Sequence, residues 1–456
     1  MFLFSCNKKD EPQDNIKPKQ PNIIFLLADD QRADGVGFMG NEHIITPNLD
    51  SLAEKGTVFN NAYVTTSICA VSRASILTGQ YARRHDIWGF AKNFTKTQLD
   101  SIYPLVLSQN GYYTGFIGKY GVGNQLPKDK FDYWRGFAGQ GSFKQVDSLG
   151  KPIHLTKKIN GQIQEFINLQ KKESKPFCLS VSFKAPHVEG DPGYFLPDEN
   201  YTKMFEADTL PVPKSSNEAF FNYFPKKFTE NNVARNRWQT RFATPVMQQE
   251  NIKKYYQLIH GIDNAVGDLV NSLRINGLLE NTIIIYTSDN GFYLGEYGFA
   301  GKWYGSEPSI KVPLMIFDGR KQHTKKLVRD DIALNIDIAP TILGIAGIKI
   351  PKVMQGKNLL LKGVDKNYKD REVFFYEHLW QSSTAYYIPS TEGIVYKDKK
   401  YMRYFMNRDT TDVIFEEAYN LTKDPIEINN LVFDEKHQSF IEDLRNSMYL
   451  LKNKSK

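Results

Sequence analysis

The sequence predicts an α/β fold, with a mostly parallel central sheet flanked by helices and a small C-terminal α+β subdomain carrying an antiparallel sheet. Three observations predict it. Short, continuous apolar runs recur along the chain. Amphipathic helical patterns lie between them. After about residue 365 the runs shorten and polar turns crowd in between them.

The first run is Asn22-Ile23-Ile24-Phe25-Leu26-Leu27-Ala28, apolar at successive positions rather than at alternate ones. A strand buried on both faces of a parallel sheet requires that pattern. The run stops at Asp29-Asp30. The design repeats: 113–117 leads into Gly118-Lys119, 177–183 into Lys184-Ala185-Pro186-His187, and 282–287 into Ser288-Asp289-Asn290-Gly291. Residues 312–317 make a further strand. Between about 251 and 274, Ile252, Tyr255, Tyr256, Ile259, Ile262, Val266, Leu269, Val270 and Leu273 recur at helical spacing. A shorter helix follows Pro47, with Leu49, Leu52 and Ala53 on one face. Strands alternating with helices imply a mainly parallel sheet, and such sheets bind ligands beyond the carboxyl ends of their strands. Four runs end in charged or polar residues, so those ends are expected to converge on one site.

Residues 372–376, 393–396 and 401–405 read as short strands, and 435–451 as a closing helix. The stretch 190–250 is polar, aromatic and proline-containing, and reads as a long insertion near the site. The organisation expected is a flexible tether over 1–20, a catalytic domain over 21–364 and a C-terminal subdomain over 365–456.

The chain has 456 residues, 41% of them apolar and 24% charged, enough for one large core and a smaller second one. A net charge of +7 suits anionic substrates as well as plain solubility. No run is long enough to span a membrane. No basic helix, zinc-finger spacing or aromatic RNA-binding signature is present, so no nucleic-acid partner is expected. Three cysteines, Cys6, Cys69 and Cys178, are too few and too scattered for a disulfide framework. Cys178, within Phe177-Cys178-Leu179, fits a small buried hydrophobe. Met1 to Cys6 resembles the end of a bacterial lipoprotein signal, although its apolar part is short, and the polar residues 7–20 read as a tether. The expectation is an exported bacterial protein, periplasmic or held at the outer membrane or cell surface by a lipid on Cys6.

Asp29-Asp30 places two mutually repelling carboxylates side by side, an arrangement that calls for a cation. Asp289-Asn290 offers further hard oxygen donors, suited to calcium or magnesium. Either pair alone suits a turn; at equivalent strand ends they favour a metal site. The segment Ser67-Ile68-Cys69-Ala70-Val71-Ser72-Arg73, continuing to Thr78-Gly79, carries a cysteine with an arginine four residues on, one helical turn away on the same face.

This segment resembles the signature of the type I sulfatases of the alkaline phosphatase superfamily. The resemblance extends through Pro47-Asn48-Leu49-Asp50, Gly118-Lys119, Pro186-His187, Asp289-Asn290-Gly291 and Lys311-Val312-Pro313-Leu314 to Tyr419-Asn420-Leu421 and Asp424-Pro425. It implies an alkaline-phosphatase-like fold and a sulfuric ester hydrolase in which Cys69 is oxidised to formylglycine (3-oxoalanine) by a formylglycine-generating or sulfatase-maturating enzyme. The hydrated aldehyde would attack sulfur and then collapse to release sulfate. The resemblance further implies Ca²⁺ held by Asp29, Asp30, Asp289, Asn290 and modified Cys69. Arg73 would hold the diol and the metal carboxylates, Lys119 and Lys302 the sulfate, and His187 would be general acid to the leaving oxygen. His85, after Arg83-Arg84, is expected to line the pocket. His378 is expected to be exposed, and His260 structural.

Three positions depart from the family pattern. Val71 stands where proline is usual, Gly121 where a histidine often follows the active lysine, and Tyr297 where many relatives carry histidine. The substrate implied is a sulfated polysaccharide or oligosaccharide. The competing readings are a phosphate or phosphonate monoester hydrolase of the same superfamily, and a lipoprotein that binds sulfated glycans without cutting them.

Overall fold

The computed structural model describes residues 20–171, 175–190, 193–321, 325–381 and 386–456. The lipidation expected at Cys6 lies outside them. The central sheet has eight strands: β1 Asn22–Asp29, β2 Thr57–Phe59, β3 Tyr113–Lys119, β4 Tyr133–Phe137, β5 Phe177–Pro186, β6 Thr282–Ser288, β7 Leu314–Asp318 and β8 Leu327–Arg329. Their spatial order is β8-β2-β7-β6-β1-β5-β3-β4. The five strands from β6 to β4 run parallel. β7 runs antiparallel to both of its neighbours, an orientation that an apolar run does not encode.

The continuous apolar runs are explained by two cores. Along β1, Ile23, Phe25 and Leu27 enter one hydrophobic cluster and Ile24, Leu26 and Ala28 the other. Alternate residues thus face opposite layers, and both layers are dry. One layer contains the helices α1 Pro47–Ala53, α3 Leu155–Gln170 and α4 Pro245–Ile275; the other contains α2 Cys69–Thr78 and α5 Ile338–Ile345. In α4, Ile252, Tyr255, Tyr256, Ile259, Ile262, Val266, Leu269 and Leu273 are buried as their spacing predicts, and Val270 is half-buried. Asp263 of α4 accepts from the backbone amides of Asn48 and Leu49 at 3.2 and 2.8 Å, which ties the start of α1 to the long helix.

The C-terminal part forms a four-stranded antiparallel sheet of β9 Val373–His378, β10 Ser390–Tyr396, β11 Lys399–Phe405 and β12 Val413–Asn420, with α6 Gln438–Lys454 on one face. β12 is not foreseen from the sequence: Glu416 and Glu417 interrupt its apolar character. Phe375, Ile394, Tyr401 and Ala418 pack on α6 residues Ile441, Leu444 and Met448. The opposite face, with Phe374, Tyr376, Met402 and Tyr404, joins the main core. Among its described residues the stretch 190–250 includes the short helices Glu218–Asn222, Lys226–Thr229 and Val233–Arg241. The stretch buttresses the loop after β6: Tyr297 donates its amide to Ser215 O at 2.7 Å, and Arg237 lies over the Trp303 ring.

The parallel order brings the ends of β6, β1, β5 and β3 to one edge of the sheet. Gly118, just before the end of β3, has φ +93° and its missing Cβ would meet Ser182 O at 2.0 Å. No other residue fits that approach. Gly118→Ala should destabilise the protein by roughly 3 kcal/mol, read as a lower urea midpoint. An unchanged midpoint would mean that β3 and β5 do not approach this closely.

Candidate active site

Each strand end delivers a polar group to the same place. β1 delivers Asp29 and Asp30. Successive strand residues normally point to opposite faces, but Asp30 has φ +68°, a left-handed conformation that turns both carboxylates to one side. Such a conformation in a non-glycine residue is sustained where the surroundings fix it. Here they do: the Asp30 amide donates to Asp289 Oδ1 at 3.1 Å, its carbonyl accepts from Tyr255 Oη at 2.7 Å, and Asn290 Nδ2 donates to its carboxylate at 2.6 Å.

α2 supplies the next two groups. Cys69 opens this helix, and all ten of its residues are buried. Arg73, one turn on, donates Nε to Asp289 Oδ2 at 2.8 Å and Nη1 to Lys119 O at 2.8 Å, with Nη2 at 3.5 Å from Asp29 Oδ2. It therefore ties β1, β3 and β6 to the helix. Lys119 Nζ donates to Asp29 Oδ2 and to Gln140 Oε1, both at 2.5 Å. Lys302 Nζ pairs with Asp30 and lies 2.8 Å from Cys69 Sγ. His187, after the end of β5, places Nε2 3.6 Å from Asp30 Oδ2, and its Nδ1 is bonded to Val188 O at 2.8 Å.

The structure thus gathers Asp29, Asp30, Cys69, Arg73, Lys119, His187, Asp289, Asn290 and Lys302, separated by up to 273 positions in sequence, into one buried cluster. Three carboxylates face three cations. His85 is not among them. It is fully buried near the far end of α2, with Nε2 3.0 Å from Ser75 Oγ and Nδ1 accepting from the Ile87 amide at 3.1 Å. Both ring nitrogens are committed, which removes it from the pocket and makes it structural. His378, expected to be exposed, is fully buried at the end of β9, and neither ring nitrogen has a hydrogen-bond partner among the described residues. Tyr297 is buried too, and its hydroxyl donates to Ile426 O at 2.8 Å, away from the charged cluster. His260 is hydrogen-bonded to Ile45 O at 2.9 Å, as a structural residue would be. A cavity of about 440 Å³ opens beside Arg32, Tyr63, Glu307 and Lys311, but neither Cys69, Lys119 nor Lys302 lines it.

Sequence reasoning missed Gln140 and Lys184. Lys184 is buried, donates to Val188 O at 3.0 Å and lies 3.6 Å from Glu189. The signal for it was visible: a lysine inside an otherwise apolar strand.

The electrostatics follow from burial opposed by pairing. Burial disfavours charge on Asp29, yet Lys119, His187, Arg73 and Lys302 hold its carboxyl well below the usual range. Asp289 is pushed up to about 6 by burial and by neighbouring Asp29, against the pull of Arg73. Burial pushes the Cys69 thiol up to about 12, with Asp29 adding to the effect. In the metal-free site burial therefore favours the neutral thiol over the thiolate at Cys69, and the thiolate is the nucleophilic form. Burial lowers His187 to about 3, so its ring is neutral in this state.

The donor set fits a hard divalent cation. Ligand atoms of Asp29, Asp30, Cys69 and Asp289 lie within 4.8 Å of one another. Asn290 Oδ1 is buried beside them with no hydrogen-bond partner, an acceptor left over for a cation. Oxygen-dominated donors select calcium or magnesium over softer metals.

The fold and this cluster together define an alkaline-phosphatase-like hydrolase of anionic esters. A family model described as Sulfatase matches residues 21–348, and one described as N-sulphoglucosamine sulphohydrolase, C-terminal, matches residues 295–454. The chain belongs to the sulfatase family, whose members hydrolyse sulfate esters. Its relatives include an N-acetylglucosamine-6-O-sulfatase of Bacteroides thetaiotaomicron, 26% identical over 94% of this chain and 85% of that protein. An arylsulfatase of Clostridium perfringens is 29% identical over 93% of each. Among solved structures, a protein in complex with its substrate D-glucosamine-2-N,6-O-disulfate superposes with a TM-score of 0.78 at 25% identity, covering 96% of this chain and 98% of that one. A phosphonate monoester hydrolase of Agrobacterium radiobacter shares the fold, with a TM-score of 0.78 at 20% identity over 96% of each chain.

Binding of a divalent cation among these carboxylates should weaken as pH falls through about 6, because Asp289 takes up a proton there and the ion must displace it. Titration calorimetry at several pH values checks this. In the metal-free protein the raised pKa of Asp289 has the opposite sign: its contribution to stability is full below the unfolded carboxyl range and is lost as pH rises through about 6. Asn290→Ala should weaken that cation about tenfold or more without moving the pH dependence.

Proposed function

We propose that this protein hydrolyses sulfate monoesters on a sulfated polysaccharide or oligosaccharide, with formylglycine at position 69 and Ca²⁺ at the strand ends. The observation that carries this reading is Cys69 itself. Its thiol lies buried against Asp29 and Lys302 in a site built for anionic esters, where burial favours the neutral thiol when unmodified and metal-free. Oxidised by a sulfatase-maturating enzyme, position 69 would supply a hydrated aldehyde as the nucleophile. Bound among Asp29, Asp30, Asp289, Asn290 and residue 69, calcium would polarise sulfate oxygens.

The protein's own residues do the rest. Arg73 locks Asp289 and the Lys119 carbonyl around the helix start, so the nucleophile position and the carboxylates hold one geometry. Lys302 lies against residue 69 and Lys119 against Asp29, both buried and held by carboxylates that a divalent cation would engage. Freed from those carboxylates, they would bind two of the sulfate oxygens. His187 has Nδ1 fixed by Val188 O, so Nε2 faces the site. An arriving sulfate ester adds negative charge, which favours the protonated ring, and Nε2 could then give its proton to the departing sugar oxygen.

Amino-sugar 6-sulfates are the first substrates to try, because several relatives are named for them. Among the described residues no helix is long and apolar enough to cross a membrane. We place the protein outside the cytoplasm, in the periplasm or held at the outer membrane or cell surface by a lipid on Cys6. The presence of Asp29, Asp30, Arg73, Lys119, His187, Asp289, Asn290 and Lys302 around Cys69 favours catalysis over glycan binding alone.

The matured protein should desulfate a 6-sulfated hexosamine, and Cys69→Ala should lower kcat by at least about 10³-fold. Activity confined to aryl sulfates would sink the glycan assignment. His187→Ala should cost about 10²- to 10⁴-fold on a sugar sulfate but far less on an aryl sulfate, whose phenolate leaves without a proton. Equal losses on both would remove His187 from the acid role.

A further inference from the structure

We infer that Gln140 is the residue that positions Lys119 for the sulfate group, a role that residue 121 is barred from taking; this rests on the sulfatase reading above. Lys119 ends β3, and its Nζ has two described partners, Asp29 Oδ2 and Gln140 Oε1. Asp29 belongs to the candidate metal site, so a cation there competes with Lys119 for it. Gln140 is then the partner that stays.

The local backbone explains why this side chain arrives from residue 140. Lys119 pairs in register with Phe137 of β4, and Tyr120 donates its amide to Phe137 O at 3.0 Å. The chain leaves β4 beside Lys119 and turns back over it through Gly139 and Gly141, both with φ +65°. These two left-handed residues flank Gln140 and fold the loop so that its side chain reaches inward. The nearer route is closed. Gly121, two residues past Lys119, has φ +74°, and a Cβ there would meet Arg73 Cδ at 2.5 Å and Lys119 Cε at 3.7 Å. Arg73, which ties three strands to α2, occupies that space.

The chemistry of an amide suits the task. A carboxylate at position 140 would neutralise Lys119 and repel an incoming sulfate. The neutral carbonyl of Gln140 orients the ammonium and leaves its charge for the substrate. Gln140 is only partly buried, and its Nε2 donates to no described residue, so the amide stands between the buried lysine and the outside.

The test compares Gln140→Ala and Gln140→Glu with the unaltered protein in two assays. One is hydrolysis of an aryl sulfate by matured enzyme; the other is the thermal shift given by inorganic sulfate to the calcium-loaded protein. Gln140→Ala should raise KM and weaken sulfate about tenfold, with the unfolding midpoint without sulfate unchanged. Gln140→Glu should be worse than Gln140→Ala in both assays, because it adds an anion beside the sulfate-binding ammonium. A loop-pinning role predicts the reverse order, since glutamate is nearly isosteric with glutamine, and that order would overturn the proposal, as would wild-type behaviour of both variants. If the unaltered enzyme cleaves no sulfate ester, the sulfatase reading fails, and the order of the two variants in the sulfate shift still decides the role of Gln140. If sulfate gives no shift to the unaltered protein, both fall.

Discussion

Three carboxylates and three cations share one dry compartment at the edge of the sheet, and the rest of the structure is arranged around the cost of putting them there. Asp29, Asp30 and Asp289 would repel one another if left unpaired at this depth. Arg73, Lys119 and Lys302 offset that repulsion, and each comes from a different element. Buried pairs of this kind add little to stability, because desolvation consumes much of the attraction. The use consistent with the orphaned Asn290 oxygen is to hold a divalent cation and an anionic ester together.

Geometry enforces the compartment from two directions. The parallel order of β6, β1, β5 and β3 fixes which side chains meet, whatever the loops do. Two backbone positions then refine it. The left-handed Asp30 turns a second carboxylate inward, and Gly118 lets β3 approach β5 closely enough for Lys119 to reach Asp29. The C-terminal sheet contributes through Tyr376, whose hydroxyl accepts from the Ser67 amide and donates to Trp303 O at 2.6 Å, bracing both the cysteine segment and the Lys302 loop.

Much of this was legible in the sequence because burial on both faces leaves a mark: β1, β3, β5 and β6 are mostly apolar runs that end in charged or polar residues, an acidic or amide pair after β1 and β6 and a lysine in β3 and β5. The cysteine and arginine one turn apart were equally plain. What stayed hidden depends on distance in sequence or on context. The antiparallel direction of β7 leaves no trace in a five-residue run. β12 carries Glu416 and Glu417, which are paired with Arg445 and with Tyr404 and Tyr419 respectively, and those partners are visible only in the fold. His85 sits near the signature in sequence yet at the wrong end of α2, since a ten-residue helix carries the chain away from the site. Gln140 has no motif, and only the return of the loop over Lys119 gives it meaning.

The account stands on the chemistry of residue 69, whose side chain lies among the carboxylates and lysines of the site and is held toward the neutral thiol by burial when unmodified and metal-free. The direct measurement is mass spectrometry of the tryptic peptide Gly56–Arg73 from protein made in its native host. The account predicts a peptide in which position 69 has lost two hydrogens and its sulfur and gained an oxygen, the aldehyde of formylglycine, with Val71 tolerated by the maturing enzyme. A peptide carrying only unmodified cysteine in active protein would contradict it.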